Sequence, residues 1–331
     1  VLPTIFIRVS QVMGAEAVSI WLLDSDTNEV VCRTATGGAG QKLEGTRLPL
    51  GKGIVGWVTQ HREPVIVADV SRDFRFASNV DKSTGYVTHS MVCAPLVSPS
   101  GSLGAIQVLN KTQRGARFTQ DDLDLLVSLA DSAALAIENA RLYEDLAESY
   151  NLTLEALVAA LDVRDHETQD HSRRVVEYTL RLAQEMNLTE EELLLNIQRG
   201  ALLHDIGKIG VPDSILLKPS TLTEAEWEEM RKHPTHGYQM LTGIKFLIGA
   251  ADIVFSHQEN FDGTGYPRGL RSEEIPLGAR IFAVADTLDA ITSDRPYHRA
   301  ASYEEARKFI EQQAGKRFDA DVVEAFVRIP P

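Results

Sequence analysis

The chain has 331 residues, 44% hydrophobic and 24% charged, proportions ordinary for a soluble globular protein of about two domains. Its formal net charge of -14 argues against a nucleic-acid polymer as partner. It leaves room for a small anionic nucleotide where a bound metal ion sets the local field. Two cysteines, Cys32 and Cys93, give no disulfide framework, and read as small buried hydrophobes of a reducing, cytoplasmic protein.

In chain order, the first residues read as a helix entered part-way, as in a fragment. No signal peptide is visible. Residues 17–23, 64–68 and 105–109 read as buried strands, punctuated by Gly37-Gly38, Gly51, Gly53 and Gly101. With a helix before and a helix after, they predict an α+β domain built on a central antiparallel sheet.

Between Ala116 and Arg199 there is neither Gly nor Pro, which predicts long helices. Leu126, Ala130, Ala133, Ile137 and Ala140 recur at three-four spacing. The phase then shifts, and Tyr143, Ala147, Tyr150, Leu154, Leu157 and Leu161 continue the seam. Such a seam predicts a parallel coiled-coil homodimer joining two domains; one amphipathic helix packed on its own domain is the alternative. The rest of the chain reads as helical, with starts near Thr189 and Thr223. The longest apolar run, residues 244–255, contains Lys245 and Asp252 and is too short to span a membrane.

Seven of the nine histidines fall between His166 and His298. Glu167 and His171 lie four apart, on one helix face. His204-Asp205 precedes Ile-Gly-Lys208. His233 precedes Pro234, His257 stands alone, and Asp286 ends Ala-Val-Ala-Asp. Any one of these is an ordinary polar residue. Together, on separate helices of one domain, they are hard to explain as core packing, because buried imidazoles and carboxylates are costly unless paired or metal-bound. A His/Asp/Glu set without Cys suits iron or manganese better than structural zinc.

His204-Asp205-Ile-Gly-Lys208 resembles the HDxxGK signature of the HD phosphohydrolase superfamily. Asp262-Gly-Thr-Gly265-Tyr266-Pro267, and the stretch from Asp286 to Arg295-Pro-Tyr297, resemble the other two signatures of the HD-GYP family. The resemblance covers about residues 153–326. It implies an all-α domain over 153–331 that hydrolyses cyclic di-GMP to pGpG or GMP with two or three divalent metal ions, most often iron. It implies Glu167, His171, His204, Asp205, His233, His257 and Asp286 as metal ligands, with Asp205 bridging. Asp205 and Lys208 would be catalytic, and Lys208, Gly265, Tyr266 and Arg295 would face substrate. The Gly265-Tyr266-Pro267 loop reads equally as a turn between helices or as a docking loop for a diguanylate cyclase bearing a GGDEF domain. One departure is Gln258, where the family often has a second histidine; a neutral amide there weakens the case for a third metal. Rival readings are a silent nucleotide-binding or interaction module, and an enzyme for another cyclic dinucleotide such as cyclic GMP-AMP.

Residues 1–140 resemble a GAF domain, through Gly51-Lys-Gly-Ile-Val-Gly-Trp57, Ala94-Pro-Leu96 and Gly104-Ala-Ile-Gln-Val-Leu-Asn-Lys111. This implies a sensor for an unidentified small ligand, with 141–152 as a helical linker. Asn110, Lys111, Phe118 and Asp122 partly match the NKFDE motif of cyclic-nucleotide-binding members. Leu123 replaces its last acidic residue, which shifts the expectation toward another ligand or none.

Overall fold

The computed structural model describes residues 9–37, 40–113, 115–165, 171–294 and 299–330. It divides into two compact units, Val1–Ala147 and Glu148–Pro331.

The first unit is a six-stranded antiparallel sheet in the order β3-β2-β1-β6-β5-β4. Its strands are β1 (Ala15–Asp24), β2 (Glu29–Ala35), β3 (Arg47–Pro49), β4 (Val65–Val67), β5 (Met91–Ser98) and β6 (Gly101–Lys111). Helices α1 (Gly40–Leu43), α2 (Gly53–His61) and α3 (Ser78–Thr84) interrupt them. Side chains alternate across the pleat. Val18, Ile20, Ile106 and Val108 face the core capped by Leu126, Ala130, Ala134 and Ile137 of α4 (Gln120–Asp165). Ala17, Trp21, Ala105 and Leu109 face the opposite core, with Ile54, Val55 and Val58 of α2. Cys32 and Cys93 are buried in that second core, as small hydrophobes, and burial pushes the Cys32 thiol up to about 12.

The motif residues at the end of β6 have structural partners. Lys111 Nζ bonds Asp122 Oδ1 at 2.7 Å and lies over the Phe118 ring, tying β6 to the start of α4.

The expected seam is not one free face. Leu126, Ala130, Ala133 and Ile137 are buried in the first unit, and Leu154 and Leu161 are buried as well. A helix packed on its own sheet shows the same small-and-apolar spacing as a coiled coil, so the bland alternative holds for these residues. Leu135, Leu142, Tyr143, Leu146, Tyr150 and Leu157 stay exposed.

The second unit is helical: α5 (His171–Glu185), α6 (Glu191–Leu203), α7 (Asp213–Leu216), α8 (Glu224–Met230), α9 (His233–Leu241), α10 (Ile248–Ser256), α11 (Leu277–Thr292), α12 (Tyr303–Gln312) and α13 (Ala320–Arg328). Thr223 caps α8 as its sequence predicts, accepting from Glu226 N while Glu226 reaches back to Thr223 N. The core centres on α11, whose Ile281, Phe282, Val284 and Ala285 are fully buried. Among the described residues no helix is long and apolar enough to cross a membrane.

Candidate metal centre

Three of the predicted histidines sit where a helix runs out of hydrogen-bond partners. His204 follows the last residue of α6, His257 follows α10, and His233 follows the turn after α8. The last carbonyls of a helix have no intrahelical donor. Each ring uses its Nδ1 to fill that role three residues back. His204 donates to Ala201 O (2.9 Å), His233 to Met230 O (2.8 Å) and His257 to Val254 O (2.7 Å). A carbonyl only accepts, so Nδ1 carries the proton and a neutral ring points a bare Nε2 away from its helix. His171, at the start of α5, is fixed differently: its Nδ1 donates to Asp289 Oδ2 at 2.7 Å, and Arg174 Nε holds the other oxygen of that carboxylate at 2.6 Å.

The six described ligand candidates converge in two groups, His171 with His204 and Asp286, and Asp205 with His233 and His257. Within each group the ligand atoms lie within 4.8 Å of one another. His233 Nε2 stands 3.1 Å from His257 Nε2 and 3.4 Å from Asp205 Oδ1. His204 Nε2 stands 3.1 Å from Asp205 Oδ2, so Asp205 touches both groups. Two bare nitrogens facing each other and a carboxylate at these distances repel. A divalent cation between them turns that repulsion into ligation, so the donor set fits a metal.

Burial keeps two of the candidate histidines in the neutral form that can bind a metal. Burial, then the neighbouring His233 and His204, keeps His257 well below the usual histidine range. Burial likewise lowers His233. Burial alone would raise Asp205, but His204 and Lys208 outweigh it and hold the carboxyl well below the usual range. For Asp289, burial is outweighed by the hydrogen bonds from His171 and Arg174, which bring it down to about 2.

Lys208 lies beside the centre, its ammonium 2.8 Å from Asp205 Oδ2 and 2.5 Å from Asp165 Oδ2. Gly207 makes this turn possible: a Cβ there would meet His233 O at 1.9 Å. Gly265 is equally constrained, its absent Cβ falling 2.3 Å from Asn260 N. Buried Glu259 pins the same loop by accepting from Arg268 N and Leu270 N. The loop brings half-buried Tyr266 near enough that burial, then the Asp205 charge, raises its hydroxyl. Glu167 and Arg295 lie outside the described residues.

Sequence reading missed Asp289, Arg174 and Asp165. Asp289 had a signal, standing three residues after Asp286 on the same helix face. Asp165 and Arg174 had none, since a charged residue in a polar helix reads as solvated.

Residues 155–322 match the HD domain family, and residues 1–137 match the GAF domain family. A cyclic di-GMP phosphodiesterase of Thermotoga maritima is 46% identical over 178 residues, covering 53% of this chain and 48% of that protein. A cyclic di-GMP phosphodiesterase of Vibrio cholerae is 33% identical over 280 residues, covering 78% and 56%. A 3'3'-cGAMP-specific phosphodiesterase 2 of the same species is 37% identical over 205 residues, covering 61% and 39%. The chain thus spans about half, or less, of these relatives' lengths.

Proposed function

The chain belongs to the HD-domain family, with a GAF domain ahead of the HD domain, and on that premise we propose that it is a metal-dependent cyclic dinucleotide phosphodiesterase acting first on cyclic di-GMP. The observation that carries this reading is the pair of three-ligand groups joined at Asp205. His171, His204 and Asp286 would hold one ion, and Asp205, His233 and His257 a second; iron or manganese suits the all-nitrogen-and-oxygen set. The ions would activate water for attack on phosphorus and neutralise charge on the phosphodiester. Glu167 would serve a third ion, held more weakly because Gln258 offers a neutral amide.

The chain's own groups do the rest. Four Nδ1 hydrogen bonds orient the imidazoles before any ion binds. Lys208 is a point charge for a phosphate, and Asp165 keeps it at the mouth of the centre. Tyr266 and Arg295 would contact substrate, Gly265 would let that loop approach closely, and the same loop would meet a GGDEF-bearing cyclase. The GAF domain would be the sensor.

A homodimer would form along the exposed stripe Leu135, Leu142, Leu146, Tyr150 and Leu157 of α4. Leu157→Glu should then shift the protein toward monomer in sedimentation, and a native chain already monomeric at micromolar concentration would end that part of the reading.

The test of function is anaerobic purification followed by turnover of cyclic di-GMP and 3'3'-cGAMP with product identification. Hydrolysis of cyclic di-GMP at the higher kcat/KM is the expected result. Faster turnover of 3'3'-cGAMP would move the assignment to that substrate, and hydrolysis of neither would refute the enzyme.

A further inference from the structure

The first unit holds a cavity of about 60 Å³ between the sheet and α2. That is room for roughly four water-sized spheres, or one small ring. Its walls are apolar and aromatic, with Trp21, Ile54, Phe76, Tyr86, Met91 and Leu109 among them.

The polar lining groups are already engaged, with one exception. Ser19 Oγ accepts from Trp21 Nε1 at 3.1 Å. Thr36 and Thr84 bond backbone carbonyls. Asp81 accepts from Thr88 N and Oγ1 at 2.7 and 2.9 Å, and Tyr86 donates to Glu16 at 2.9 Å. The exception is Gln107. It stands in the inward row of β6 between Ala105 and Leu109, opposite Ser19 and Cys93 on the flanking strands. It is 8% exposed and lines the cavity, yet its amide makes no hydrogen bond to any described residue. Its amide atoms are not sealed from solvent, so they present a donor and an acceptor to the cavity that a ligand can take up in place of water.

The cavity is also poor in positive charge. Among the described lining residues there is no Lys, Arg or His, and Asp81 is the single charged side chain. The nearby Arg75 is committed to Asp73 at 2.7 Å and lies over the Trp57 ring. A buried phosphate or carboxylate would find no counter-charge here.

We infer that this cavity binds a small, uncharged, flat ring carrying a hydrogen-bond donor beside an acceptor, read by the Gln107 amide and held between the aromatic walls. A primary amide offers one N–H donor and one carbonyl acceptor side by side, the complement of a cyclic amide edge. Trp21, Phe76 and Tyr86 supply the faces against which such a ring packs. A nucleoside phosphate is disfavoured by the absence of a counter-charge among the described lining residues.

This rests on reading the first unit as a sensor, and it is tested by binding alone, so a failure of hydrolysis would not register in it. The experiment is calorimetric titration of the whole chain with uracil and with 2-pyridone at millimolar concentration. Orotate, which adds a carboxylate, and 1,3-dimethyluracil, which lacks the donor, serve as controls. Uracil or 2-pyridone should bind saturably, and neither control should. Gln107→Leu should weaken binding about tenfold or more, as expected when two neutral hydrogen bonds are lost. Gln107→Glu keeps the volume of the side chain and replaces the amide donor with a carboxylate. It should lose uracil and gain affinity for protonated 2-aminopyridine, which presents two donors. Near-ultraviolet circular dichroism would check that both variants fold. The inference is overturned if the folded native protein binds neither neutral ring, if orotate binds as well as uracil, or if Gln107→Leu binds uracil unchanged. Absence of binding together with a Gln107→Leu variant more stable than the native chain would show an amide that is merely hydrated.

Discussion

The cavity of the first unit and the centre of the second both bury polar side chains against apolar walls, but they settle them differently. Around Gln107 the neighbouring polar groups satisfy one another, and a single amide is left over. In the second unit no ligand ring is left over on its outer side. Each histidine satisfies a helix-end carbonyl or Asp289 through Nδ1 and turns the other nitrogen inward, against a second lone pair or a carboxylate. A lone amide open to an apolar cavity suits a neutral partner with a donor and an acceptor. Several inward-facing donors of electron pairs call for a cation. The difference between the two sites is therefore one of arrangement, and single substitutions can separate them.

The largest effect is expected at Asp205. Asp205→Ala should cut turnover by about a hundredfold or more while leaving both units folded, because it removes the carboxylate of one group that also stands 3.1 Å from His204 of the other, and no core side chain. Substantial turnover in this variant with metal still bound would remove Asp205 from the chemistry. Asp289→Asn is the sharper test of how the rings are oriented. It keeps the shape of the side chain but removes the charge that fixes His171 and Arg174. Metal affinity, followed by competition with a chelator, should fall by about ten- to a hundredfold. An unchanged affinity would mean that His171 is oriented by packing alone.

The smallest effect concerns acid and belongs to the first unit. Burial would raise Asp122, but its bonds to Lys111 and Thr119 outweigh that and hold the carboxyl below its ordinary value of 3.8. A depressed carboxylate stabilises the fold above its unfolded-state value, and that contribution disappears as pH falls through the depressed one. Thermal stability of the native first unit should therefore drop below about pH 4, and Asp122→Asn should flatten that part of the profile. An identical slope in the variant would place the acid sensitivity elsewhere.

What the sequence disclosed, and what it hid, follows the same division. The strands at residues 17–23, 64–68 and 105–109, the long helix and the capped start at Thr223 were legible because periodicity and caps are local. Six described ligand candidates were legible through short motifs such as His204-Asp205 and, for the isolated His257, through the family resemblance, and the structure brings all six together. The seam on α4 was misread in part, since spacing alone cannot tell a neighbouring sheet from a second chain. Asp165, Arg174 and Asp289 act across distances of 43, 115 and 118 residues in sequence; the spacing from Asp286 could have flagged Asp289, but no one-dimensional pattern marks its partners or the other two residues. Gln107 was legible in principle, as the polar member of an otherwise apolar inward row in β6, but only once the face of that strand was known.

The most direct measurement is the metal content of the anaerobically purified chain, taken together with cyclic di-GMP turnover before and after chelation. Two three-ligand groups predict close to two ions per chain, turnover lost on chelation, and recovery when iron or manganese is returned. A chain that retains no metal, or one that hydrolyses cyclic di-GMP equally well after its metal is stripped, would contradict the reading of these six residues as a catalytic metal centre.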